Sequence, residues 1–127
     1  MEVLNVIAAA VAAWVFGAVW YMALSKQWME ASGLTPESID QKNPVPYVVS
    51  LIGAILVAGM TRHIMATSGV TTAGGGFVTG LGLGLFVALP WIVNNVLYGQ
   101  RDTRLIWLDG GYPVIGTAII GLVLNLF

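Results

Sequence analysis

The residues able to do chemistry in this chain are few, and they cluster. Asn94, Asn95 and Tyr98 come closely after Pro90 and Trp91, and Asp109 stands one loop later. Two amides, a phenol and a carboxylate could line a polar pocket for a small solute or an ion, or pass a proton along. The same amides could instead hold helices together, at about 0.5–2 kcal/mol per hydrogen bond in membranes. The second use is favoured, because asparagine commonly serves as glue in bundle cores and nothing nearby sets a reactive pKa. Asp109 is expected to pair with Arg101 or Arg104, or to cap the start of the last helix.

Most catalytic chemistries lack their parts. There is no cysteine and only one histidine, so disulfides, iron–sulfur clusters, thiolate metal sites and paired-histidine motifs are excluded. No Ser-His-Asp set or carboxylate pair is present. Gly74-Gly75-Gly76 lacks the Lys-Ser/Thr ending and the preceding strand of a phosphate loop. No enzyme activity, cofactor or metal is therefore expected. A net charge of −1 gives no reason to expect nucleic acid as a partner.

These side chains must be positioned by membrane helices. The chain is 127 residues long, 57% hydrophobic and 9% charged, whereas soluble domains carry about 25% charged residues. Four apolar segments stand out, at about 3–24, 46–66, 73–98 and 105–126. Each is long enough to cross a hydrocarbon core of about 30 Å. The first is preceded by no basic region and is too long for a signal-peptide core, so it reads as a retained span, with a cleaved signal as the alternative. The third is over-long for a straight crossing and should tilt or bend. The fourth is interrupted early by Asp109-Gly110-Gly111 and Pro113. The expected fold is all-α, a single four-helix transmembrane bundle with a short interfacial helix in loop one, residues 25–43. Within that loop Thr35-Pro36-Glu37 predicts a helix start, and Trp28, Met29, Leu34 and Ile39 would rest on the membrane interface.

Segment three carries a small-residue stripe. Gly76, Gly80, Gly84 and Ala88 recur every four residues. Small residues at this spacing let membrane helices approach backbone to backbone. Thr117, Gly121 and Asn125 form a matching stripe on segment four. At about 100° per residue, Trp91, Asn94, Asn95 and Tyr98 share one sector of roughly 120° with the glycines. Leu85, Leu89, Val93 and Val96 then face lipid. Asn5 and Asn125 are expected near the outer face, where they could meet. Arg62 and His63 should anchor the end of segment two at that same face.

Lys26, Lys42, Arg101 and Arg104 lie in loops one and three, against Arg62 on the other side. The positive-inside rule then places loops one and three in the cytoplasm and both termini outside. Trp20, Tyr21, Trp28, Tyr98 and Trp107 would form an aromatic belt at the cytoplasmic boundary. The Trp14/Tyr21 and Trp91/Tyr98 pairs, each seven residues apart, suggest a faint repeat of two hairpins.

Gly17-Ala18-Val19-Trp20-Tyr21, Trp28-Met29, Gly33-Leu34-Thr35, Asn95, Gly99-x-Arg101 and Gly111-Tyr112 together resemble the bacterial membrane family known as domain of unknown function 1761. The resemblance covers nearly the whole chain and implies four helices in a bacterial inner membrane. It implies no activity. A histidine often comes after the last Gly-Tyr pair in that family; here Pro113 stands there, so no histidine chemistry carries over.

The expected role is a structural or interaction subunit, packing in a homo-oligomer or a larger membrane complex within the lipid bilayer. The alternative is a small-solute or ion pathway lined by Asn94, Asn95, Tyr98 and Asp109.

Overall fold

The computed structural model describes residues 2–39 and 42–126; Met1, Asp40, Gln41 and Phe127 lie outside them. Every regular element among the described residues is helical: α1 (Glu2–Ala23), α2 (Ser25–Ser32), α3 (Val45–Ser68), α4 (Ala73–Leu83), a π-turn (Gly84–Ala88), α5 (Leu89–Tyr98) and α6 (Arg104–Leu124). Four stretches are long and apolar enough to span a membrane: α1, α3, the continuous α4–π–α5 helix, and α6. The short helix α2 lies between the first two.

Local chemistry sets the boundaries. Gly33 and Gly69 end α2 and α3 at φ 73° and 74°, in the left-handed region that glycine enters without a Cβ clash. Pro44 and Pro46 open α3, where a missing N–H is harmless. Thr72 caps α4, its hydroxyl accepting from the Gly75 amide at 2.9 Å.

The helix of loop one sits earlier than Thr35-Pro36-Glu37 predicts. Residues 25–32 form it, and Gly33 stops it. Thr35 and Ser38 do make reciprocal cap-like bonds, Ser38 N–H to Thr35 Oγ1 at 3.2 Å and Thr35 N–H to Ser38 Oγ at 2.8 Å. They close a single turn only.

α6 is the hub, in contact with α1, α3, α4 and α5. It runs unbroken through Gly110, Gly111 and Pro113, so the early interruption expected there does not occur. Prolines are tolerated in membrane helices where neighbours support the freed backbone.

The two small-residue stripes meet within one chain. A Cβ added to Gly80 would fall on the Thr117 carbonyl oxygen, and one on Gly76 would fall on that of Gly121. A Cβ on Gly84 would lie 2.5 Å from Thr117 Oγ1. The α4 and α6 backbones therefore touch, and only glycine permits the approach. Ala88 lies in the π-turn and is half-buried.

The π-turn sets the phase of α5. The Leu89 amide donates to the Gly84 carbonyl, one residue farther back than in an α-helix. Pro90 comes next. Its ring would clash with the carbonyl four residues back in a regular helix, and a wider turn relieves that clash. One extra residue in the turn rotates the rest of the helix by about 100°. Val96, expected at the lipid, is 1% exposed and packs with Leu105, Leu108 and Ala31. Leu89 likewise turns inward, close enough that a Cβ on Gly110 would meet its Cδ1 at 2.5 Å. Trp91 and Tyr98, expected inward, are 69% and 88% exposed. Asn94 and Asn95 are exposed as well.

Candidate functional site: a clamped carboxylate

Asp109 is the centre of a site built from three helices. Its Oδ1 accepts from the Tyr21 hydroxyl at 2.9 Å and from Trp28 Nε1 at 3.0 Å. Leu108 precedes it on α6, and the Leu108 carbonyl accepts from Trp20 Nε1 at 2.8 Å. Three aromatic donors from α1 and α2 thus end on two adjacent residues of α6.

The surrounding rings pack against one another. Tyr21 meets Trp28 edge-on at 6.2 Å and Tyr112 edge-on at 5.9 Å, while Phe16 stacks on Tyr112 at 6.2 Å. Two glycines make the space. A Cβ on Gly17 would lie 2.6 Å from Tyr112 Cε1, and one on Gly111 would lie 2.5 Å from Trp20 Cζ2. Both glycines are used here for lack of bulk.

Chemically the arrangement is a carboxylate held by two neutral donors among rings. Charge-assisted bonds of this kind are about twice as strong as neutral ones. The site fixes α2 against the bundle and ties the end of α1 to the beginning of α6.

Neither arginine takes the partnership expected with Asp109. Arg104 instead bonds Asp102 at 2.8 Å and reaches Glu30 of α2 at 3.4 Å. Its hydrogen bonds hold the Asp102 carboxyl below the usual carboxylate range. The Glu30 pair and the Asp109 bonds together place loops one and three at the same end of the bundle. At the opposite end, Asn125 Nδ2 donates to the carbonyls of Thr72 at 2.9 Å and Val70 at 3.4 Å, and Asn5 is buried.

The expected polar pocket is not assembled. Asp109 faces α1 and α2, whereas Asn94, Asn95 and Tyr98 lie on the outer surface of α5. Two open grooves, of about 240 and 260 Å³, are lined by neither set. The aromatic belt is reduced likewise: Trp20, Tyr21 and Trp28 spend their donors inside the bundle, leaving Tyr98 and Trp107 exposed. The Trp14/Tyr21 and Trp91/Tyr98 pairs differ in the same way. Trp14 bonds Ser50 of α3 at 3.0 Å, while the second pair points outward.

Sequence reasoning missed Tyr21 and Trp28 as partners of Asp109. The signal was present in the resemblance, since Gly17, Trp20, Tyr21, Trp28, Gly111 and Tyr112 all converge here.

Fold and site define a multi-pass helical membrane protein whose loop-one helix is clamped to its last span. The chain belongs to the family described as Protein of unknown function (DUF1761), whose model matches residues 4–125. Neither a curated protein nor a solved structure matches the chain.

Proposed function

We propose that this protein is a non-enzymatic interaction subunit of a bacterial inner membrane, working as part of a homo-oligomer or a larger membrane complex. One observation carries the reading: the polar face of α5 points out of the bundle. Trp91, Asn94, Asn95 and Tyr98 recur at helical spacing i, i+3, i+4 and i+7 on an exposed surface. Among the described residues neither side-chain amide has a hydrogen-bond partner within the chain. Polar groups in hydrocarbon require partners. The glycine face, by contrast, is already used between α4 and α6 and is not free for association.

In this reading loops one and three face the cytoplasm and both termini face outside. The excess of Lys26, Lys42, Arg101 and Arg104 over Arg62 supports that orientation.

The test is purification from native membranes in mild detergent, followed by measurement of particle mass. A particle larger than one chain with its lipid and detergent is expected. A monomer without a co-purifying protein overturns the proposal.

A further inference from the structure

We propose that the α5 face docks onto the same face of a second copy of this chain, with Asn94 pairing to its own equivalent. This deepens the interaction reading above and rests on it.

Depth comes first. The continuous α4–π–α5 helix covers Ala73–Tyr98, 26 residues. At 1.5 Å per residue, Asn94 lies about 13 Å from its midpoint along the axis. The hydrocarbon half-thickness is about 15 Å. With that midpoint set at the bilayer midplane, Asn94 sits just inside the apolar layer and Tyr98 in the headgroup region. An exposed amide at that depth lacks the water that would otherwise satisfy it.

Chemistry selects the occupant. A carboxamide carries both a carbonyl acceptor and an N–H donor, so it is complementary to another copy of itself. Two copies inserted the same way are related by an axis along the membrane normal. Their α5 helices then run parallel, and each Asn94 lies at the depth of its equivalent. This is the geometry in which a single core asparagine pairs across a parallel coiled coil. Trp91 and Tyr98 flank it one heptad apart, each large and exposed, and supply the packing around the amide pair.

Charge permits the contact. No Asp, Glu, Lys or Arg occurs between His63 and Arg101, so the face meets itself without repulsion. The inward face of the same helix, Leu89, Ile92 and Val96, is committed to α6. The π-turn is what allows both faces to serve, because it turns the apolar side in and the amide side out.

The chain has no cysteine, so single-cysteine variants report without background. Tyr98→Cys is placed in the full chain, oxidised in native membranes and run without reductant. Trp107→Cys, exposed at the same end on α6, is the control. Expected are a band at twice the chain mass for Tyr98→Cys and a monomer for Trp107→Cys. Adding Asn94→Leu to Tyr98→Cys should weaken dimerisation by about 3- to 30-fold in dissociation constant. Because Asn94 is exposed, the monomer should still fold, which thermal unfolding checks.

Equal cross-linking of both cysteine variants would mean random collision and overturns the proposal. So does an unchanged yield with Asn94→Leu. Native mass separates the two readings. A complex containing another protein but one copy of this chain sinks the self-pairing while leaving the interaction reading. A bare monomer sinks both.

Discussion

The Tyr21 hydroxyl donates to the Asp109 carboxylate at 2.9 Å across 88 positions of sequence, joining the end of the first span to the beginning of the fourth. Trp28 donates to the same oxygen from the loop-one helix. A hydrogen bond to a charged group contributes about 1.5–3 kcal/mol. Tyr21→Phe and Trp28→Phe should each lower stability by an amount near the bottom of that range, because the site is only partly buried. Asp109→Leu should cost more than either, since it leaves both donors without their acceptor. Thermal unfolding in one mild detergent ranks the three. A double-mutant cycle between Tyr21→Phe and Trp28→Phe should be non-additive, because both act through one oxygen. Full additivity would mean that the two bonds do not form a unit.

Glycine packing gives the next contrast. Gly80→Ala should destabilise by about 1–3 kcal/mol, because its Cβ would fall on the Thr117 carbonyl oxygen. Gly80→Leu should be worse. Gly82→Ala, with nothing near its Cβ position, should be neutral or raise stability by up to about 1 kcal/mol, through helix propensity alone. Leu85→Ala should also be mild, since lipid can replace part of a 37% exposed side chain. Unfolding temperatures measured side by side decide the order. Equal losses for Gly80→Ala and Gly82→Ala would contradict the backbone contact.

The rotation at the π-turn can be read from two neighbours. Val96→Ala removes a side chain that is 1% exposed and should cost about 1–3 kcal/mol. Asn94→Ala, two residues earlier, should leave monomer stability unchanged. The reverse order would indicate a regular helix through residues 84–88.

Asp102 and Arg104 predict a pH effect of known sign. Arg104 holds the Asp102 carboxyl below its ordinary value, so the folded pKa is depressed. The stability it contributes is fully present above the usual aspartate value of about 3.9 and is lost as pH falls through the folded value. Asp102→Asn should therefore be less stable than the parent at neutral pH, and the gap should close below about pH 4. The pair is solvent-exposed, so the gap should be small and should shrink with salt. A gap that persists at low pH would assign the effect to packing.

Orientation is checked by single cysteines and a membrane-impermeant label. Lys42→Cys and Arg101→Cys should share one accessibility, on the side where Glu30 meets Arg104. Thr71→Cys should show the opposite one. Labelling of Thr71→Cys from the cytoplasm would invert the proposed topology.

Composition and local pattern alone determined the four spans. Length and apolarity fix a membrane crossing regardless of what packs beside it. Pro44 and Pro46 suit a helix start by local chemistry too, whereas the helix ends at Gly33 and Gly69, equally local, went unread, and the helix of loop one was expected to begin at Thr35. The match of Gly76, Gly80 and Gly84 to Thr117 and Gly121 was legible because small residues at i, i+4 and i+8 suit a close approach of helices. Tertiary structure decided the phase of α5 and the partners of Asp109. A periodic pattern fixes which residues share a face only while the helix stays regular. The π-turn before Pro90 adds one residue to a turn, and packing of Val96 on Leu105 and Leu108 selects that arrangement. Asp109 had two arginines nearby in sequence, yet its partners come from α1 and α2, because Gly17 and Gly111 let the rings of Tyr112 and Trp20 lie flush against the opposing helix. Such pairing depends on which backbones approach closely enough, and no spacing along a single helix records it.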